Sequence, residues 1–218
     1  MITLAEENYL KAILKLSNNT KDSVSTNAIA EELDTKASFV TDMIKKLTEK
    51  KLVNYVPYRG VGLSKLGLEK AVSIVRKHRL WEVFLVTKLQ FQWDEVHDVA
   101  EQLEHIKSQK LVDALDEYLD YPQHDPHGEP SPNKAGLFPK SFSMRLNELE
   151  CGASGQVVGV SQDNPSFLQY LDSLGIKLGT SISVVQKIVF DGSLEITINN
   201  KSAHISKDVA KNLLIKQK

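Results

Sequence analysis

The sequence predicts a mainly α chain that ends in an all-β domain: a winged helix-turn-helix, then a helical segment, then a small β-barrel of the SH3 sort. Three observations predict it. Apolar residues recur at helical spacing up to about residue 121, a dense run of proline, glycine and polar residues fills 122–140, and the runs beyond are short, β-branched and separated by turn residues. A chain of 218 residues also exceeds the usual size of one compact domain. The expected boundaries are 1–68, 69–121, a Pro/Gly-rich linker over 122–140, and 141–218.

From Leu4 to about Ser17 the spacing of Leu10, Ile13 and Leu14 predicts an amphipathic helix. Ser25 or Thr26 offers an N-cap to a short helix, "NAIAEEL", that stops near Asp34. After the polar turn "DTK" a second helix runs to about Lys50, with Val40, Met43, Ile44 and Leu47 on one side. The alternating segment "LVNYVPYRGVGLS" follows at once, and Tyr55 to Leu63 reads as a hairpin turned at Arg59-Gly60. Helix, short turn, helix, hairpin is the winged helix-turn-helix order, in which the second helix enters the major groove of DNA. Its N-terminal half (Lys36, Ala37, Ser38, Phe39, Thr41, Asp42) is then nearest the base edges, with Lys45, Lys46, Lys50 and Arg59 as phosphate contacts. Gly60, Gly62 and Gly67 fit no phosphate-cradling motif and are read as turn and wing glycines.

Glu69 to about Thr87 reads as a long apolar helix, Val96 to Ile106 as another, and "SQKLVDALDEYLDY" as its continuation or successor. Apolar helices of this length, next to a unit too small to cover them, predict a homodimer interface. Past the linker, "SMRLNEL", "GQVVGVS", "SISVVQKIVF", "SLEITIN" and "SAHIS" are strand-like runs, interrupted by one helix, "PSFLQYLDSLG".

The formal net charge of −1 hides an asymmetry. Lys36 to Arg79 holds eleven Lys and Arg against three acids, while Leu80 to Glu150 holds six against fourteen. Two solvated surfaces are the plain explanation; a polyanion-binding segment followed by a cation-binding one is the functional alternative. No apolar run approaches a membrane span and the first residues lack the shape of a signal peptide, so a cytoplasmic protein without a membrane partner is expected. The single cysteine, Cys151, excludes an internal disulfide framework and a thiolate metal site.

Within the acidic segment, "VHDVAEQLEHI" sets His97, Glu101, Glu104 and His105 at i, i+4, i+7 and i+8, one polar stripe if the helix is continuous. One helix earlier His78 and Glu82 stand at i and i+4 among Val, Ile, Trp, Phe and Leu. Packing of the two helices predicts two groups: His78, Glu82 and His97, and Glu101, Glu104 and His105. Imidazole and carboxylate without thiolate suit manganese, iron(II), zinc or cobalt.

Four stretches, "EENYLKAI" (6–13), "RKHRLWEVFL" (76–85), "VHDVAEQLEH" (96–105) and "DPHGEPSP" (125–132), closely resemble the diphtheria-toxin-repressor family. Its members are iron- or manganese-dependent transcriptional repressors, and the resemblance spans the chain, including a C-terminal SH3-like domain of the ferrous-transport-accessory type. The resemblance implies a helical dimerisation and metal-binding domain in the middle and a repressor that grips double-stranded operator DNA as a homodimer when loaded with metal. It implies Glu101, Glu104, His105 and Asn8 as the primary, activating site, and His78, Glu82, His97 and Asp163 as the ancillary site. Asn8 brings no charge where relatives carry methionine or aspartate, and Lys11 stands where short manganese-selective members carry a carboxylate. Glu101 in place of the cysteine of the iron-selective branch moves the preference toward the harder ion, so Mn2+ is the first choice and Fe2+ the second.

Two other classes are open to the residues alone. A helical-bundle metalloenzyme needs two Glu-x-x-His motifs, and only Glu101-x-x-Glu104-His105 is present. A metal transport or storage accessory protein accounts for the C-terminal domain and leaves the basic winged helix unexplained. The expectation is a non-enzymatic regulator of metal-uptake genes with no small-molecule substrate.

Overall fold

The structure is a computed structural model that describes residues 2–17, 23–56, 59–140 and 143–217. The chain divides into two compact units: Met1–His78 with Glu101–Val112 and Pro132–Leu137, and Arg79–Ala100 with Asp113–Ser131 and Phe138–Lys218.

The first unit opens with helix α1 (Leu4–Ser17), whose buried residues Glu6, Tyr9, Leu10, Ala12, Ile13 and Leu14 follow the helical period. Helix α2 (Thr26–Glu32) begins where the Ser25 hydroxyl accepts from the Ala28 N–H, the capping expected from the sequence. Helix α3 (Ala37–Glu49) buries Val40, Ile44 and Leu47 and leaves its opposite side to solvent. Strands β1 (Val53–Val56) and β2 (Gly60–Leu63) form the antiparallel hairpin of the wing, and Arg59 N donates to Val56 O. Pro57 and Tyr58, also part of the expected hairpin, lie outside the described residues. The core runs from Tyr9, Leu10 and Ile13 through Ile29, Val40, Ile44 and Leu47 to Val53, Val61 and Ala71. Truncating one of these fully buried Leu or Ile side chains to alanine costs about 2–5 kcal/mol, enough to lose the orientation of α3. At Gly60, where φ is +106°, a Cβ would stand 2.6 Å from the Val24 carbonyl oxygen, so the strand pairing of Val24 with Val61 requires glycine.

Helix α4 (Lys65–Leu89) is longer than the expected 69–87, because its first turn is drawn on by Ser64, whose hydroxyl accepts from Gly67 N. Helix α5 is shorter than expected. It ends at Leu103, and Glu104 and His105 lie in the turn after it, where Ile106 N bonds back three residues to Leu103 O. Helix α6 (Gln109–Tyr118) is therefore a separate element.

In the second unit strands β3 (Met144–Arg145), β4 (Ser154–Val160), β5 (Ser181–Lys187), β6 (Leu194–Ile198), β7 (Lys201–Ile205) and β8 (Leu213–Gln217) make one sheet in the order β3-β8-β4-β5-β6-β7, every pair antiparallel. The SH3-like expectation holds in topology, but the sheet is open, with β3 and β7 as its two edges. Helix α7 (Pro165–Ser173) starts at the Asn164 cap, as "NPSF" predicts. Helix α8 (Lys207–Asn212) and β8 were not foreseen: "KNLLIKQK" has too few alternating positions to announce a strand, yet β8 lies between β3 and β4 and buries Leu213 and Ile215. The core beneath the sheet contains Leu146, Val157, Leu168, Leu171, Ile182, Ile196 and Trp93.

Part of the run read as a linker is a built loop. Asp125 Oδ1 accepts from His127 N at 2.8 Å and Glu129 N at 2.9 Å, and His127 O accepts from Val160 N of β4 at 2.8 Å. Gly128, at φ +84°, is pressed so closely on β4 that a Cβ would sit 2.0 Å from the Val158 carbonyl oxygen.

Candidate metal centres and nucleic-acid face

In the first unit α1, α4, the end of α5 and the turn after it bring together Glu7, Lys11, His78, Glu101, Glu104 and His105. Glu104 is 1% exposed and accepts at Oε2 from His78 Nδ1 at 2.6 Å and from Lys11 Nζ at 2.7 Å. Burial pushes its carboxyl up, but the His78 hydrogen bond and the Lys11 charge outweigh burial and hold it below the ordinary carboxylate value. Glu101 is half exposed and lies 3.4 Å from Lys11 Nζ.

His105 Nδ1 is 2.5 Å from Glu7 Oε2, and its Nε2 is 3.9 Å from Glu104 Oε1. A carboxylate this close fixes the proton on Nδ1, so the lone pair of Nε2 points toward another acceptor, Glu104 Oε1. These two groups would be the ones to hold a cation here, which would offset the charge of Glu104. Of the residues expected here, the structure brings Glu101, Glu104 and His105 together; Asn8 is exposed on α1, and its neighbour Glu7 reaches His105 instead.

The second unit gathers a different set. Glu82 Oε1, on α4 and buried, is 3.6 Å from His97 Nδ1 and 3.8 Å from His127 Nδ1. Asp163 Oδ2, after β4, lies 3.8 Å from His97 Nδ1. Asp125 and His127 were not singled out as ligands by sequence reading, although both stand in the quoted "DPHGEPSP"; a proline-rich run reads as a linker unless its polar residues are known to be buried. Ligand atoms of Glu82, Asp125 and His127 lie within 4.8 Å of one another, all three buried. His127 Nε2 donates to the Trp93 carbonyl at 2.8 Å, so its Nδ1 lone pair faces the Glu82 and Asp125 carboxylates. Burial, with Glu82 alongside, raises the Asp125 carboxyl to about 7.

On α3 and its flanks Lys36, Ala37, Ser38, Phe39, Thr41, Asp42, Lys45, Lys46 and Lys50 are all exposed, as is Arg59 on the wing. Phe39, 61% exposed at the start of the helix, has no core to serve and suits apolar contact with a thymine methyl. Two of the basic residues also have partners inside the protein. Lys45 Nζ is 3.4 Å from Asp42, and Lys50 Nζ binds both oxygens of buried Glu6 at 2.7 and 2.9 Å.

Three family models match. "Iron dependent repressor, N-terminal DNA binding domain" covers residues 1–61, "Iron dependent repressor, metal binding and dimerisation domain" covers 64–133, and the FeoA domain covers 144–217. The chain is 26% identical to the diphtheria toxin repressor of Corynebacterium efficiens, over 94% of this chain and 91% of that protein. Among solved structures, a manganese-dependent transcriptional repressor in complex with manganese matches with a TM-score of 0.87 and 34% identity, over 97% of this chain and 99% of the other. The manganese regulator SloR matches with a TM-score of 0.77 and 33% identity, over 98% of each. No helix among the described residues is long and apolar enough to cross a membrane.

Proposed function

Because the chain belongs to the diphtheria-toxin-repressor family of iron- and manganese-dependent transcriptional regulators, we propose that it is a repressor that binds operator DNA as a homodimer when Mn2+ or Fe2+ is bound, and so controls metal uptake. The comparisons support this reading and not the metalloenzyme or accessory-protein alternative.

The observation that carries the mechanism is that Glu7, Glu104 and His105 converge within the same compact unit as the helix-turn-helix. We assign Glu101, Glu104 and His105 to the primary centre, with Glu7 orienting His105 and Asn8 next to it, and Glu82, His97, Asp163, Asp125 and His127, with His78 as the resemblance implies, to the ancillary one. The domain boundaries 1–68, 69–121, 122–140 and 141–218 go with this assignment, as does a cytoplasmic location. Oxygen and nitrogen donors without thiolate suit both metals, with manganese favoured by the number of carboxylates. Bound metal supplies positive charge that offsets the repulsion between these carboxylates.

The protein's own part is to hold one conformation. Glu7 is on α1, which packs on α2, while His105 is anchored after α5. Because Glu7 holds His105 through Nδ1, a cation that fixes His105 through Nε2 would also fix the helix on which the helix-turn-helix rests. The shift toward the DNA-binding conformation is limited to the difference in metal affinity between the two states. Two such units in a dimer then present α3 to successive major-groove segments, Lys45, Lys46 and Arg59 neutralising phosphates. The test is a gel shift on the promoter region of a metal-transporter gene with manganese, with iron(II), and with chelator. Equal retardation in all three lanes would sink the reading.

A further inference from the structure

The ammonium of Lys11 lies 2.7 Å from Glu104 Oε2, 3.4 Å from Glu101 Oε1 and 3.2 Å from His78 Nδ1. It thus touches two of the residues assigned to the primary centre. Lys11 stands one helical turn after Glu7, so both project from the same face of α1. Its side chain is 18% exposed, and Glu104 is buried, a setting in which a carboxylate without a counter-charge is costly. The close approach of His78 does not compete with this ion pair: Glu104 takes the Nδ1 proton, and Lys11 bonds to the carboxylate.

We propose that Lys11 is a tethered competitor of the metal at the primary centre, and that its displacement sets the metal concentration at which the repressor responds. The proposal rests on the assignment of Glu101 and Glu104 to that centre. A divalent cation and an ammonium held by the two oxygens of one carboxylate repel each other by several times the thermal energy at the effective dielectric of a partly buried site. Occupation by a metal therefore releases Lys11, and the observed affinity is the metal's own less that of the ammonium. The tether makes the competition intramolecular and independent of protein concentration. It also keeps Glu104 counter-charged at either end of the exchange, so the site stays folded while it changes partner.

The experiment is calorimetric titration of the full-length protein with manganese chloride, for wild type, Lys11→Met, Lys11→Arg and Glu104→Gln, with thermal melts of the same proteins in chelator. Lys11→Met should bind manganese at the primary centre about tenfold more tightly or better, the size of one charge-assisted contact, and melt at a lower temperature than wild type in chelator. Lys11→Arg, which keeps the charge, should bind as wild type does. The opposite signs in titration and melt set competition apart from general damage, which lowers both. If Lys11→Met binds manganese no more tightly while Glu104→Gln loses one equivalent, the competitor role is overturned and the centre stands. If Glu104→Gln loses none, the centre itself is misassigned. Should Lys11→Met fail to fold, Lys11→Gln carries the same test with a polar neutral side chain.

Discussion

Glu104 and His78 are joined by a hydrogen bond of 2.6 Å from Nδ1 to Oε2, buried and 26 residues apart in the chain. It links a residue assigned to the primary centre with one assigned to the ancillary centre, so a change at either should be felt at both. His78→Ala should lower the manganese stoichiometry by one and weaken the primary centre by roughly 10–100-fold, the usual effect of removing an orienting partner from a ligand. DNA binding should survive at saturating manganese, as fluorescence anisotropy against metal concentration will report. Loss of DNA binding at every manganese concentration would reverse the assigned roles.

Glu104→Gln keeps the shape but replaces the anionic oxygen by an amide, which leaves Lys11 without its counter-charge. Metal-dependent operator binding should fall by roughly a hundredfold or more, because a ligand contributes at least as much as its orienting partner. A gel shift across a manganese series measures it.

Asp163 and His127 separate affinity from stability at the ancillary centre. Asp163 is half exposed, so Asp163→Asn should change the melting temperature little while weakening that site. His127 is 3% exposed and bonded to the Trp93 carbonyl, so His127→Ala should weaken metal binding and also cost about 2–4 kcal/mol of stability. Paired chemical denaturation and metal titration distinguish the two; equal loss of stability in both variants would count against the geometry.

Lys46 and Lys50 are both exposed and basic, but only Lys50 binds Glu6. Lys46→Ala should weaken DNA binding uniformly across sequences and reduce the salt slope by about one per subunit. Lys50→Ala should change the slope less and cost roughly 1–3 kcal/mol in folding, since Glu6 is left buried without its cation. Log affinity against log salt for the two variants decides between these roles.

Gly128→Ala should destabilise the protein by at least about 3 kcal/mol, because the new Cβ would strike the Val158 carbonyl and its φ of +84° also disfavours a side chain. Since Asp125 and His127 ride on the same loop, manganese uptake at the ancillary centre should fall with it. Denaturation in chelator and calorimetry with metal report the two effects.

The winged helix was legible because each element carries a local signal: the Ser25 cap, the apolar period in α3, the Arg59-Gly60 turn. The stripe of His97, Glu101, Glu104 and His105 was read on the premise of an unbroken helix, which was not met. Nothing in "AEQLEHIKS" announces an end at Leu103, since Gln, Glu, Leu and Lys are all good helix formers; the end is imposed by tertiary bonding of Glu104 and His105. Asp125 and His127 escaped for the opposite reason. Their role depends on burial of a proline-rich loop by β4, and burial between segments some thirty residues apart has no periodic trace in sequence. The bond of Glu7 to His105, 98 residues apart in the chain, has no trace in sequence either.

Trp93 belongs to the core under the β-sheet, although it precedes the sheet's first strand by some fifty residues, and its indole N–H donates to Asp172 of α7 at 3.1 Å. Gln169 of the same helix donates to Asp94 at 2.8 Å, and the His127 carbonyl is held by β4. The C-terminal module is therefore not a detachable cassette. A fragment cut at residue 141 would leave an indole-sized hole in its own interior, whereas a recombinant chimera that exchanges this module between relatives must carry the 93–94 segment and the 125–128 loop with it to preserve a filled core.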